Sequence, residues 1–390
     1  MHLLVLPSWY RSSVRPLSGS FFSEQATAIA SAGHKVGVIH PYLASAPDAA
    51  RTLWGGLGHE HTEEAGLAVH RYTTLNVPRL RGLRRRRFVR LAGLLYDRYV
   101  DSEGEPDVLH AQSVAWGGVA AHAIAGRTGL PFVVTEHSSA VATEAVGSGF
   151  DYSLIQSAFD AAEAVTAVSA WVGDALSAYT EQPVAITPNG VDTRLFYPPT
   201  HPRQNTPFRF VVVAGLKPVK RIDVLLAAFA QAFARTEPVS LTVVGDGPER
   251  RRLETEASRL ALGRQVRFEG ARPRRDLPAI LRECHCLVSS SSVETFGVTM
   301  IEALATGLPV VASETGGARD IVTDENGLLV AGRVEELAAA VRSVFEQREH
   351  WERMSPAIAN DAKCRFDAPV AAAALIEILK NASRSKRNAQ

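Results

Sequence analysis

A chain of 390 residues with 42 basic and 41 acidic side chains is too long for one small core and suits two domains of ordinary size, two lobes with a cleft. The near-neutral balance argues against a general nucleic-acid binder, whose footprint is a clear basic excess, and three cysteines are too few for a disulfide framework, which points to a reducing cytoplasm. No apolar run reaches the roughly eighteen residues of a membrane span, and "MHLLVLPSWY" lacks a basic start and ends its apolar run at Pro7, so neither secretion nor membrane integration is expected.

In chain order, "HLLVLP" reads as a strand, "FFSEQATAIASAG" as a helix and "KVGVIH" as a strand, followed later by "DVLHAQ", "FVVTEH" and "AVTAVS". Strands apolar on both faces and separated by helices predict a parallel sheet covered on both sides. Within this half, seven arginines fall between positions 79 and 90. Leu83, Phe88, Leu91, Leu94 and Leu95 can form an apolar stripe through the same helix, 79–99. A basic amphipathic helix fits an anionic membrane surface, a solvated face or a dock for an anionic acceptor.

Prolines and polar residues crowd "YPPTHPRQNTP" and mark a linker. The rhythm then restarts with "FRFVVVAGL", "RIDVLLAAFAQAFAR", "VSLTVVGDG", "VRFEG", "DLPAILREC", "CLVSSS" and "PVVAS". Leu225, Phe229 and Phe233 recur every four residues on one helical face. The boundaries read are a first domain over 1–197, a linker over 198–207, a second domain over 208–369, a terminal helix over 370–383 that returns to the first domain, and a frayed tail over 384–390.

Open parallel sheets bind ligands beyond the carboxyl ends of their strands. In "LVSSSSVETFGVTMIEAL" a serine-rich loop leads into a helix starting near Gly297 or Val298. The unpaired N–H groups and dipole of that helix suit a phosphate, and Gly297 permits close approach of a ligand. Glu302 lies inside an apolar helix, where an ionised carboxylate needs a partner. A ribose diol beside the phosphates is one such partner.

Glu294 and Glu302, with seven residues between them, resemble the paired-glutamate motif of the retaining group 1 glycosyltransferases, the large family 4 on the GT-B fold of two doubly wound Rossmann-like domains facing each other across a cleft. "SGSFFSEQATAIASAGHKV", "DVLHAQ", "FVVTEH", "ITPNGVDTRLFYP", "LKPVKRIDVLLAAF", "LTVVGDGPE" and "NGLLV" extend the resemblance over nearly the whole chain. It implies a donor ribose held by Glu302, donor-sugar hydroxyls held by Glu294, and backbone groups of Phe296, Gly297, Val298 and Thr299 on sugar and diphosphate. It further implies Lys220 on the diphosphate, His137 near the transferred sugar and Gly19 facing the donor phosphate. Arg272 would sit where the base meets main chain, and Asn189 would belong to the motif before the linker. His110 is a weaker candidate at a strand end. Relatives carry an arginine where this chain has Gly215, and Lys217 and Arg221 are nearby candidates to replace it.

The expected activity is transfer of a sugar, with retention, from a nucleoside-diphosphate sugar to a hydroxyl acceptor, the acceptor being a small molecule, a glycan or lipid-linked. A UDP-sugar is favoured, and no cofactor or metal is required. The expected location is cytoplasmic, with peripheral contact at the inner membrane face through the arginine-rich helix. A sugar-nucleotide epimerase of the same architecture and a noncatalytic sugar-nucleotide-binding partner subunit are the alternatives.

Overall fold

Short apolar runs alternating with helices fold into two compact units, Met1–Gly190 with Ala368–Gln390, and Val191–Asp367. The computed structural model describes residues 1–390 apart from 13–14, 16–17, 46–47, 77–80, 144–149, 205 and 389–390.

The sheet of the first unit contains β1 (His2–Pro7), β2 (Lys35–Ala44), β3 (Gly58–Glu64), β4 (Leu67–Leu75), β5 (Val108–Gln112), β6 (Phe132–Glu136), β7 (Ala164–Ala167) and β8 (Val184–Ile186). Their order is β3-β4-β2-β1-β5-β6-β7-β8. Every pairing is parallel except β3 with β4. The residues of β5 and β6 are buried throughout, as expected for strands covered on both faces. The β3–β4 hairpin is additional to the elements read from the sequence. "GHEHTEE" has no apolar run because β3 is an edge strand of mostly exposed residues. Its two-residue turn places both Ala65 (φ 52°) and Gly66 (φ 77°) in the left-handed region, the geometry that closes a tight hairpin.

The second unit contains β9 (Phe208–Val213), β10 (Val239–Val244), β11 (Val266–Gly270), β12 (Cys286–Ser289), β13 (Val310–Ser313) and β14 (Gly327–Val330). They form one parallel sheet in the order β11-β10-β9-β12-β13-β14. This is the doubly wound dinucleotide-fold order, whose direction of winding reverses between β9 and β12. The crevice outside the carboxyl ends of those two strands is where such sheets take ligands.

Three boundaries differ from the sequence reading. The chain passes between units at Gly190–Val191 and again at Asp367–Ala368, so the proline-rich run 198–207 belongs to the second unit. Phe196 is buried, and Arg203 donates to Thr306 O at 2.8 Å and Ser355 Oγ at 3.2 Å, which fixes the segment to that unit's surface. The terminal helix runs Ala368–Asn388, so 384–388 continue the helix and are not a frayed tail. Ala372, Leu375, Ile376, Leu379 and Ala382 share one core with Phe22, Ile29, Val36 and Val38 of the first unit.

The arginine-rich segment forms the helix Arg81–Glu103, and Arg79 and the rest of 77–80 lie outside the described residues. Its expected apolar stripe is divided. Phe88, Leu91 and Leu95 are buried in the unit, whereas Leu83 and Leu94 are exposed. The face expected to meet lipid is therefore mostly a packing face, because the helix lies against β2 and β4.

Candidate functional site

The loops after β9 and β12 meet at the reversal point of the second sheet. After β9 the chain makes a short turn over Pro218–Lys220 and enters the helix Ile222–Ala232. After β12 the serine-rich loop leads to the helix Val298–Ala305, with Gly297 as its N-cap at φ 109°. The serines serve the loop itself. Ser290 Oγ donates to Lys220 O at 2.9 Å, and Ser292 donates to Val219 O from both backbone N (2.9 Å) and Oγ (3.1 Å). Through these bonds Lys220 is pinned beside Glu294, with Nζ and Oε2 2.6 Å apart.

These two side chains, Thr299 and Ser289–Ser291 line one small cavity. Phe296 is buried and packs on Phe366 at 6.1 Å between ring centroids, so only its backbone is available to a ligand. Val298 and Thr299 are half-buried, and as the first helical residues their N–H groups have no partner inside the helix. A Cβ on Gly317 would lie 2.4 Å from Phe296 Cα, and Gly317 N donates to Glu294 O at 2.8 Å. That close contact holds the loop at the helix entry. The arrangement combines a lysine amine, unpaired helix-start N–H groups and a carboxylate, which suits a diphosphate next to a polyol.

The remaining candidates in this unit separate. Glu302 is fully enclosed, and Arg274 forms an ion pair with it. Burial holds its carboxyl above the usual carboxylate range, and Arg274 opposes that rise. Sequence reasoning looked to a ribose for the partner of Glu302. The structure supplies Arg274, whose guanidinium also lies over the Phe196 ring at 5.6 Å, but both carboxyl oxygens are buried without a well-formed hydrogen bond among the described residues, so the pairing offsets the burial only in part. Arg272 is partly exposed and pairs with Glu269. Lys217 and Arg221 are exposed. Arg221 takes the left-handed φ of 46° that caps its helix, and neither forms an ion pair among the described residues. At Gly215 a Cβ would meet nothing within 4 Å among the described residues, so packing does not require glycine there. The "GDG" turn is shaped by packing, since a Cβ on Gly245 or Gly247 would strike Ala214 O or Leu216 O.

In the first unit the reversal point lies between β1 and β5. Gly19 caps the helix Ser20–Ser31 at φ 66°, and a Cβ there would sit 2.6 Å from Trp9 O, so this turn requires glycine. Phe21 and Phe22, which follow, pack on His137 at 5.4 and 4.8 Å. His137 is buried with both ring nitrogens unbonded, and burial pushes it down to about 3. It is therefore a neutral imidazole that can donate to or accept from a hydroxyl.

His110 lies close enough to His137 to act on its charge, and its Nδ1 is buried without a hydrogen-bond partner among the described residues. It is completely buried and bonded at 2.7 Å to Thr135, the first of a ladder continuing through Thr166 and Thr187. That contact is part of the sheet interior. Asn189 is buried with Oδ1 unbonded. Two residues that sequence reasoning missed organise these sites. One is Arg274. The other is Glu136, whose buried carboxylate accepts from the backbone N–H groups of Val114, His137 and Ser138 at 2.6–2.9 Å. An acidic residue ending an all-buried strand was the available signal for Glu136. Arg274, in a loop 28 positions before its partner, offered none.

Three of the four buried histidines of this unit carry most of its pH dependence. His40, His110 and His137 are each pushed down from 6.5 to about 3 by burial. A folded-state value below the unfolded one means full stability above pH 6.5 and loss as pH falls toward 3. Each such group removes about 1.4 kcal/mol per pH unit in that window. Melting temperature is expected to be nearly flat from pH 8 to 7 and to drop steeply from pH 6 to 5. A flat profile to pH 5 would show these rings protonating without cost.

With this geometry established, residues 194–361 match the family model described as glycosyl transferases group 1, and residues 19–195 match glycosyltransferase family 4. The chain belongs to the group 1 glycosyltransferases. A D-inositol 3-phosphate glycosyltransferase from Frankia alni is 30% identical over 273 residues, covering 63% of this chain and 67% of the relative. A glycogen synthase from Mycobacterium tuberculosis is 30% identical over 211 residues, 53% of this chain, and the match spans only 50% of that relative's length. The crystal structure of Anabaena Alr3699/HepE in complex with UDP superposes with a TM-score of 0.74 at 22% identity, covering 98% of this chain and 100% of that one. The fold is GT-B.

Proposed function

We propose that the protein transfers a sugar, with retained anomeric configuration, from a nucleoside-diphosphate sugar to a hydroxyl acceptor, and that the donor is a UDP-sugar. The observation that carries this reading is Lys220 Nζ, 2.6 Å from Glu294, beside the open start of the helix Val298–Ala305 at the sheet's reversal point. Charge in such a transfer collects on the departing diphosphate. Fixed N–H dipoles and a lysine amine stabilise that charge without reorganising. Glu294 would exchange its lysine contact for donor-sugar hydroxyls, and Lys220 would turn to the diphosphate. A ribose would reach Glu302 only by displacing Arg274. UDP is favoured on the precedent of the UDP-bound Anabaena structure.

The acceptor pocket is assigned to the cavity of about 210 Å³ in the first unit lined by Ser8, Tyr10, Arg15, His40, Arg84 and Trp116, among others. Its mixture of hydroxyls and aromatic faces suits a polyhydroxylated acceptor, including the head of a glycolipid, with Arg15 paired to Asp48 of the same lining at 2.7 Å and Arg84 the remaining cation. Cytoplasmic peripheral contact with anionic lipid would rest on the exposed arginines of the helix Arg81–Glu103, since Phe88, Leu91 and Leu95 face inward. No helix among the described residues is long and apolar enough to cross a membrane.

The test is incubation with UDP-, GDP- and ADP-sugars, with and without polyol and glycolipid acceptors, following nucleoside diphosphate release and the anomeric signal of the product. Release that requires an acceptor, with retention, is the expected result. An isomerised sugar nucleotide formed without acceptor would identify an epimerase. A thermal shift with no turnover would identify a binding subunit.

A further inference from the structure

The β3–β4 hairpin brings together side chains that the transfer reaction does not use. His59 and His61 alternate along β3 and so share a face, and His61 is paired across the ladder with His70 of β4. The His61 and His70 rings stack at 4.2 Å. His59 Nε2 lies 3.2 Å from His70 Nδ1. The helix Arg81–Glu103 ends over the same face, with Glu103 Oε1 3.9 Å from His61 Nε2. One donor atom each from His61, His70 and Glu103 lies within 4.8 Å of the others.

We propose that His61, His70 and Glu103, with His59 as a fourth donor, form a binding site for a divalent transition cation, with Zn²⁺ the best match. Imidazole and carboxylate are the ligand types that Zn²⁺ takes in tetrahedral geometry, at about 2.0–2.2 Å. Such bonds place neighbouring donors about 3.3 Å apart. One pair is already at 3.2 Å, and the others close by rotation of His59 and His61, which are exposed. The inner ligand is prepared. Ser102 Oγ stands 3.4 Å from His70 Nε2, a contact that helps orient the ring and leaves Nδ1 toward His59.

Two cations face the cluster and oppose a metal ion. Lys35 Nζ is 3.2 Å from Glu103 Oε2, and Arg98 acts on both His59 and His70. The lysine engages Oε2, which leaves Oε1 toward the histidines. The carboxylate offsets part of the ion's charge and is therefore a required member of the set. Bound metal would tie the exposed edge strand to the end of the helix, a structural clamp independent of transfer.

The test uses the full chain without a histidine tag, dialysed against chelator and titrated with Zn²⁺ by calorimetry and with Co²⁺ by visible absorption. Expected are one ion per chain, the intense visible band of low-coordinate Co²⁺ and a melting temperature raised by Zn²⁺. His61→Ala and Glu103→Gln should each weaken binding at least ~10-fold, since even outer-shell changes at metal sites reach that size. Both should melt like the wild type in chelator, because neither side chain is fully buried. No saturable uptake, or equal affinity in His61→Ala and wild type, would overturn the assignment.

Discussion

Replacement of Lys220 by alanine is expected to lower kcat for sugar transfer by about 10²–10³-fold, the size seen when a preorganised group facing developing charge is removed. The side chain is anchored from both sides. Its carbonyl accepts from Ser290, and its amine meets Glu294 at 2.6 Å. An alanine therefore removes the charge without disturbing the turn. The lost ion pair is partly exposed and contributes at most about 1 kcal/mol to folding, so melting temperature should move little. Lys220→Arg keeps the charge but not the compact amine and should recover only part of the rate. Steady-state release of nucleoside diphosphate at saturating acceptor measures all three. An unchanged kcat in Lys220→Ala would remove the lysine from the reaction.

Arg274→Ala is expected to cost about 3 kcal/mol of stability, since a buried carboxylate left without its cation is among the most expensive single changes. Glu302 is completely enclosed, and burial already raises it above its ordinary value near 4.5. A raised carboxyl contributes stability that is complete below the unfolded value and is lost as pH rises toward the folded one. Removing Arg274 raises the folded value further, so the deficit should widen from pH 5 to pH 8. Glu302→Leu in the same background replaces the pair by apolar packing and should recover most of the loss. Urea denaturation at the two pH values decides. A pH-independent deficit would mean that Glu302 draws its stabilisation from elsewhere.

Much of the scaffold was legible in the sequence because buried parallel strands announce themselves. "FRFVVV" and "FVVTE" are apolar wherever they touch a helix layer, and the structure places them in β9 and β6. The edge hairpin was hidden for the opposite reason. An exposed edge strand such as "GHEHTEE" needs no apolar residues, and a two-residue turn with alanine at its first position lacks the usual Asn-Gly signal. At the site, Lys220 and Glu294 were readable since each follows a strand and precedes a helix in the same sheet. Arg274 was not, because the pairing with Glu302 depends on how two loops fold against one helix. The burial of His110 and of much of the apolar stripe on the arginine-rich helix was hidden for one reason. Strand-end position and helical periodicity show where a side chain points along its element, and they do not show whether another layer of protein already covers it.

The central proposition is that the helix starting at Val298 receives the donor diphosphate. Amide resonances of Val298 and Thr299, followed in isotope-labelled protein during titration with UDP and separately with uridine, test it most directly. Large shifts at both amides with UDP and none with uridine are predicted. UDP binding that leaves both amides unmoved would place the diphosphate elsewhere and contradict it.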